Sequence, residues 1–165
     1  MSNNKYSLKC IDFILGQKVM TLATFFKKST WSAPVYYFYL YKSFYFFSNS
    51  SSRHIQDSLE KKHLSSASIF EDPALFSFKP FDQIKGVQMS GVIEQAGKEK
   101  KAVKALVGYV KKFGIKKFIM DIENIDKSLN FFQTRFNAKF YKFVPYSVIY
   151  TDNSIEFGFK KEIKL

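Results

Sequence analysis

Cysteine is nearly absent from this sequence: Cys10 stands alone, so no intrachain disulfide can form and a small disulfide-stapled scaffold is excluded. Histidine is almost as scarce. His54 and His63 are nine residues apart with Cys10 remote from both, which matches no common zinc spacing, so no metal site is expected. Long apolar runs are also lacking. The longest, Val35 to Phe47, is interrupted by Lys42 and Ser43, falls short of the about 20 residues a membrane helix needs, and consists of strand-favouring Tyr and Phe. No stretch of small residues follows an apolar run as a cleaved leader would require, and together with the lone thiol this gives the expectation of a reducing, cytoplasmic location. The sequence contains no Gly-x-Ser-x-Gly elbow, Walker loop or Gly-x-Gly-x-x-Gly, which removes local support for hydrolase and nucleotide-triphosphatase chemistry.

What the chain has in excess is aromatic rings and positive charge. Its 165 residues and 46% apolar content suit one domain spanning residues 1–165, with no repeat and no linker to divide it. Twenty Phe and ten Tyr are more large rings than a small monomeric core comfortably covers, so some should meet a second subunit or a planar ligand. The net charge of +12 favours anionic partners without choosing among nucleic acid, a membrane face and a phosphorylated small molecule. Lys98, Lys100, Lys101, Lys104, Lys111, Lys112, Lys116 and Lys117 crowd one stretch opposed only by Glu99, a pattern that a solvated helix face also explains.

Periodicity supplies the elements. Tyr6, Leu8, Ile11, Ile14 and Leu15 recur at near-helical spacing before Gly16, and residues 98 to 113 carry Val103, Leu106, Val107, Val110 and Phe113 at three- and four-residue steps before Gly114. Both segments predict helices. A third helix should follow the serine run 48–52 on the face of Ile55, Leu59 and His63, and a fourth should run from a cap at Asp126 through Phe136. Residues 19–24, 31–40 and 44–48 predict a three-stranded meander, and 65–70 and 86–95 two more strands around a loop holding Pro73 and Pro80. Segments 139–144, 146–151 and 155–159 complete the strands, the last two joined by a hairpin turn at Asp152-Asn153-Ser154. Seven or eight strands, many of them sequential neighbours, are most economically freed of edges by closing into a small barrel. The expected class is therefore mainly β, antiparallel, with added helices.

One segment carries a chemical argument. Arg53 and His54 fall in the first turn of the helix after the serine run, the end where a helix already presents partial positive charge and unpaired N–H groups. A bound anion would reverse that cost, since Ser48, Ser50, Ser51 and Ser52, an Arg fork and an imidazole form a phosphate cradle. An ordinary capped helix with a solvent-facing Arg fits the same spacing.

Phe47-Ser48 followed by Ser52-Arg53-His54 resembles the FMN-phosphate segment of the pyridoxamine 5′-phosphate oxidase-like split barrels, where an aromatic-Thr/Ser pair precedes a Ser-Arg-Lys triplet. Residues 19–24 and 32–37 are similar to the two strands that begin that fold, and Lys85-Gly86-Val87-Gln88-Met89-Ser90-Gly91 is similar to its central strand. The segment from Tyr150 to Lys161 resembles the YhbP-like branch, with its Thr-Asp-Asn and Phe-Gly ending, and the likeness runs over residues 8 to 163. It implies an FMN-binding split barrel, homodimeric, with the flavin between subunits. By matched position Ala33, Pro34 and Val35 would border the isoalloxazine, Phe47 and Ser48 the ribityl-phosphate arm, and Ser52, Arg53 and His54 the phosphate. The pattern departs from the family at His54, in place of a lysine, and at Gly86, in place of the glutamine that contacts the ring in the oxidases.

The function implied is a flavin-dependent oxidoreductase of unspecified substrate. The cofactor would perform the electron transfer, so no catalytic side chain is nominated. Asp121 and Glu123 alternate along an extended segment with no nucleophile beside them and read as surface carboxylates. The alternatives are a module holding haem or another planar cofactor without turnover, and a nucleic-acid binder using the lysine-rich helix. Nucleic acid ranks last, because solubility explains those lysines equally well.

Overall fold

The computed structural model describes residues 2–59, 64–71, 83–115 and 125–165. The described residues form eight strands and four helices: α1 (Ser2–Gly16), β1 (Val19–Phe26), β2 (Ser29–Tyr36), β3 (Phe38–Leu40), β4 (Ser43–Ser48), α2 (Arg53–Leu59), β5 (Ser65–Glu71), β6 (Lys85–Gln95), α3 (Lys100–Lys112), α4 (Ile125–Phe136), β7 (Lys139–Asp152) and β8 (Lys160–Glu162). The strands make a single antiparallel sheet in the order β2-β1-β5-β6-β7-β4-β3, with β8 on β7. Both ends of that path belong to one stretch of chain, because β2 runs into β3 through Tyr37 alone. The expected meander is present with its middle strand broken there: the first part pairs with β1 and the second with β4.

Tyr37 leaves the ladder for a physical reason. Its N–H donates to the Lys18 carbonyl at 3.0 Å, and its hydroxyl reaches the Ile14 carbonyl at 2.5 Å, satisfying a C-terminal group of α1 that the helix itself leaves open. Lys112 secures the same corner from α3, donating to the Gln17 carbonyl at 2.6 Å with its ammonium 4.8 Å from the Tyr37 ring centre.

The barrel interior is apolar. Met20, Leu22, Val35, Phe44, Phe46, Val87, Met89, Phe143, Val148 and Tyr150 meet Cys10, Phe13 and Ile14 of α1, each such side chain contributing about 1.5–3 kcal/mol by leaving water. A second apolar cluster lies outside the barrel, where α3 and α4 cover the aromatic outer side of β4 and the start of β7. There Phe47 stacks on Phe132 with ring centres 3.7 Å apart. Gly108 lets α3 come this close, since a Cβ at that position would lie 2.1 Å from the Phe38 ring.

Three expectations need correction. Segments 139–144 and 146–151 are one strand, β7, in which Tyr146 is an extra residue bulged opposite Ser90 and Gly91. The bulge accommodates Pro145, which has no N–H for the ladder, and shifts the inward-facing positions from Tyr141 and Phe143 to Val148 and Tyr150. Segment 155–159 is not a strand. Asp152 accepts from the Ser154 N–H and hydroxyl, and Asn153 from the Gly158 N–H, so the chain turns widely and the short strand comes later, at Lys160–Glu162. Finally, Asp126 lies inside the first turn of α4 rather than at its cap. The loop with Pro73 and Pro80, together with His63, Lys116, Lys117, Asp121 and Glu123, lies outside the described residues.

Candidate functional site: a polar barrel end beside a bare sheet face

α2 closes one end of the barrel over a buried polar cluster. Thr24, Ser48, His54, Asp57, Ser58 and Ser65 are all buried, unusual company for an otherwise apolar interior, and each finds a partner. The Thr24 hydroxyl donates to Asp57 Oδ2 at 3.2 Å. His54 Nε2 meets the Ser48 hydroxyl at 2.9 Å, and Ser58 donates to the His54 carbonyl at 2.6 Å while meeting the Ser65 hydroxyl at 3.1 Å. Burial pushes the His54 imidazole below its ordinary range, only partly opposed by Asp57. His54 is thus a neutral bracket between β4 and α2. The Ser48–His54 contact is not an activated nucleophile with its base, since both groups are buried and Asp57 is engaged by Thr24 and Arg53 instead.

Arg53 is the accessible cation that α2 contributes to this end. Its Nε lies 3.4 Å from Asp57 Oδ2, its Nη2 donates to the Ser29 hydroxyl at 2.7 Å, and its guanidinium sits 5.0 Å above the Trp31 ring. A basic residue at the start of a helix therefore has a carboxylate one turn along the same helix. Ser52 contributes its carbonyl to the first α2 hydrogen bonds, and Asn49 holds the Ser51 and Ser52 N–H groups. The serine run is the turn that leads into α2, and Asn49 rather than a serine side chain holds its N–H groups.

The other matched residues separate by face. Ala33 and Val35 point into the barrel beside Leu22 and Met20, and Pro34 points outward beside Thr21. The Phe47 ring lies in the second apolar cluster under α3 and α4. Of the aromatic and strand positions, Pro34 alone turns its side chain toward open sheet.

That open sheet is what periodicity and motif both missed. Thr21, Ser32, Ser66, Ser68, Gln88 and Ser147 line a shallow hollow of about 400 Å³ on the outer side of β2, β1, β5, β6 and the second half of β7. No charged side chain lines it, and no helix among the described residues covers it. An adjoining hollow of about 350 Å³ adds Phe25, Thr30, Leu64 and Tyr146. Phe25, Tyr36, Leu64, Phe70 and Tyr146 are all more than half exposed, so a small, hydroxyl-bearing floor has a rim of large apolar groups. The signal was present in the alternation of Ser66 and Ser68 with Ala67 and Ile69, which puts the hydroxyls on one side of β5.

Solved structures share this architecture. ChuZ of Campylobacter jejuni aligns with 99% of the chain at a TM-score of 0.71 and 12% identity, the chain spanning 61% of that protein. The fold is a split barrel. HutZ of Vibrio cholerae, a heme storage protein, aligns over 84% of the chain and 88% of its own at a TM-score of 0.58 and 13% identity. A FAD-binding protein of Mesorhizobium loti aligns over 86% of the chain and 88% of its own at a TM-score of 0.53 and 15% identity. No family profile matches the chain, and no curated relative matches it. Among the described residues no helix is long and apolar enough to cross a membrane.

Proposed function

We propose that this protein is a flavin-binding split barrel of the pyridoxamine 5′-phosphate oxidase-like superfamily, nearest its YhbP-like branch, acting as a homodimeric oxidoreductase on a substrate not yet identified. The observation that carries the reading is the bare, uncharged, hydroxyl-lined face beside Pro34, with Arg53 held at Ser29, the first residue of the strand that borders it. The hydroxyls of Thr21, Ser32, Ser66 and Ser68 and the Gln88 amide suit the polar edge of an isoalloxazine, and Arg53 suits a phosphate. FMN is the flavin proposed. Ser52 belongs with Arg53 to the phosphate end in this reading, while Ser48 and His54, buried and bonded to each other, hold that end in place from beneath.

A second copy of the chain would close the hollow, and the exposed Phe25, Tyr36, Phe70 and Tyr146 supply apolar contact for it. A cytoplasmic location belongs to the same reading and rests on the single cysteine, which is buried with its thiol pushed up to about 12. When bound, the flavin supplies electron or hydride transfer; the chain's part is to hold it, orient it and exclude water. Haem fits less well. Among the described residues of the two hollows only Tyr146 and Met89 are of an axial-ligand type, Met89 is buried on the barrel side, and Cys10 and His54 are buried elsewhere.

Titration of the purified protein with FMN, read by quenching of flavin fluorescence, tests the proposal. Wild-type protein should bind, and Arg53→Ala should weaken binding by about tenfold, in line with loss of one charge-assisted contact. Failure of wild type to take up FMN rejects the flavin; equal binding by both rejects the assigned phosphate end. Sedimentation equilibrium at twice the 19.3 kDa chain mass is the expected assembly.

A further inference from the structure

A second surface lies on the far side of the covered sheet. α3 buries Ala102, Ala105, Leu106, Tyr109 and Val110, and the opposite side carries Lys100, Lys104 and Lys111, all exposed. Steps of four and seven residues are close to whole turns, so the three ammoniums stand in one row about 16 Å long. Lys101 stands beside the row. None of these four lysines makes an ion pair among the described residues: Asp126 is taken by Lys98, and Glu94 and Glu99 lie 3.4 Å and 3.9 Å from Lys142.

The row ends at the β3–β4 turn. Lys101 lies 5.6 Å from the Tyr41 ring centre, and the Lys104 ammonium is 3.5 Å from the Tyr41 hydroxyl. Tyr41 and Lys42 both occupy left-handed backbone, with φ of 50° and 62°, where a hairpin turn would ordinarily use Asn-Gly. The turn thus retains a strained conformation with an aromatic ring and an ammonium at its tip. Tyr41 is 46% exposed, and no other large exposed apolar side chain lies on α3 or on this turn.

We propose that the α3 lysine row and the Tyr41–Lys42 turn form a docking surface for single-stranded nucleic acid, separate from the flavin face. Evenly spaced ammoniums complement a phosphate backbone, and their mutual repulsion is relieved when the polyanion is present. An exposed ring flanked by two lysines gives an unpaired base a platform on which to stack, which a duplex does not use and a lipid surface does not need. Membrane binding would call for several apolar anchors level with the lysines, and this face has one ring.

Fluorescence anisotropy with a labelled fifteen-residue oligothymidylate at 50 mM and 200 mM salt tests it. Wild type should bind at the lower salt and lose about 50-fold in affinity at the higher, as four phosphate contacts on a single strand require. The triple variant Lys100→Glu, Lys104→Glu, Lys111→Glu should abolish binding. Lys9→Glu, Lys160→Glu, Lys164→Glu makes the same change in net charge at exposed positions elsewhere and should stay within threefold of wild type. Tyr41→Asn, which suits the left-handed backbone, should weaken the single strand about tenfold and leave a duplex of equal length unaffected. The proposal fails if wild type does not bind at 50 mM salt, if both triple variants fall alike, if Tyr41→Asn is silent, or if phosphatidylserine vesicles compete better than the oligonucleotide.

Discussion

The outer surface of the one sheet is built in two ways. Under α3 and α4, β4 is buried on both sides, and its ring-rich run from Phe44 to Phe47 sends alternate rings into the barrel and into the second cluster. Across β1, β2 and β5 the inward positions are apolar apart from Thr24 and Ser65 at the polar end, but the outward ones are mostly Thr, Ser, Ala and Pro. A strand covered on both sides gains by carrying large apolar groups throughout, whereas a strand with one open side gains nothing from them. The outward composition of each half therefore follows whether the described helices cover it, and the rim of exposed rings marks where none of them does.

This contrast can be broken by substitution. Phe47→Ala, which removes a ring packed among Phe132, Phe140 and Tyr109, should cost about 3 kcal/mol of stability and lower the urea midpoint accordingly. Gly108→Ala should cost about 2 kcal/mol on the same scale, because the added methyl would drive α3 off Phe38. Acid acts at the boundary between the halves. His54 is held neutral, so its contribution is present above its unfolded value near 6.5 and is lost as pH falls through the depressed folded value. Urea midpoints should therefore drop between pH 7 and pH 5, and His54→Gln should flatten that slope. On the open half, Ser68→Arg should change monomer stability by no more than about 0.5 kcal/mol, yet lower the sedimentation mass if a second copy closes that face. A large loss of stability there would show that the open half is packed after all.

Most elements were legible because their local signals agree. The apolar spacing and terminal glycine of α3, the serine turn before α2 and the alternation in β6 each point to the element found. Pro145 misled because a ladder gap resembles a strand end until the partner strand is known, and only Gly91 opposite it discloses the bulge. The segment from Ile155 to Phe159 alternates like a strand, yet the side chains of Asp152 and Asn153 hold a wide turn and leave Phe157 in solvent. Local hydrogen bonds won over pattern. At the candidate site, Arg53 and the serine turn were readable, and so was the i, i+4 relation to Asp57, which was overlooked. The open hollow was not readable as a unit, since it assembles positions from five strands whose neighbours are fixed by long-range pairing.

β7 hydrogen-bonds to β4, β6 and β8, and it begins at Lys139. During synthesis the N-terminal hairpins can form early, but β4 and β6 keep unsatisfied edges until that late segment leaves the ribosome. A nascent chain halted before Lys139 would expose the aromatic run of β4 along an open edge, the kind of surface on which unfinished chains associate.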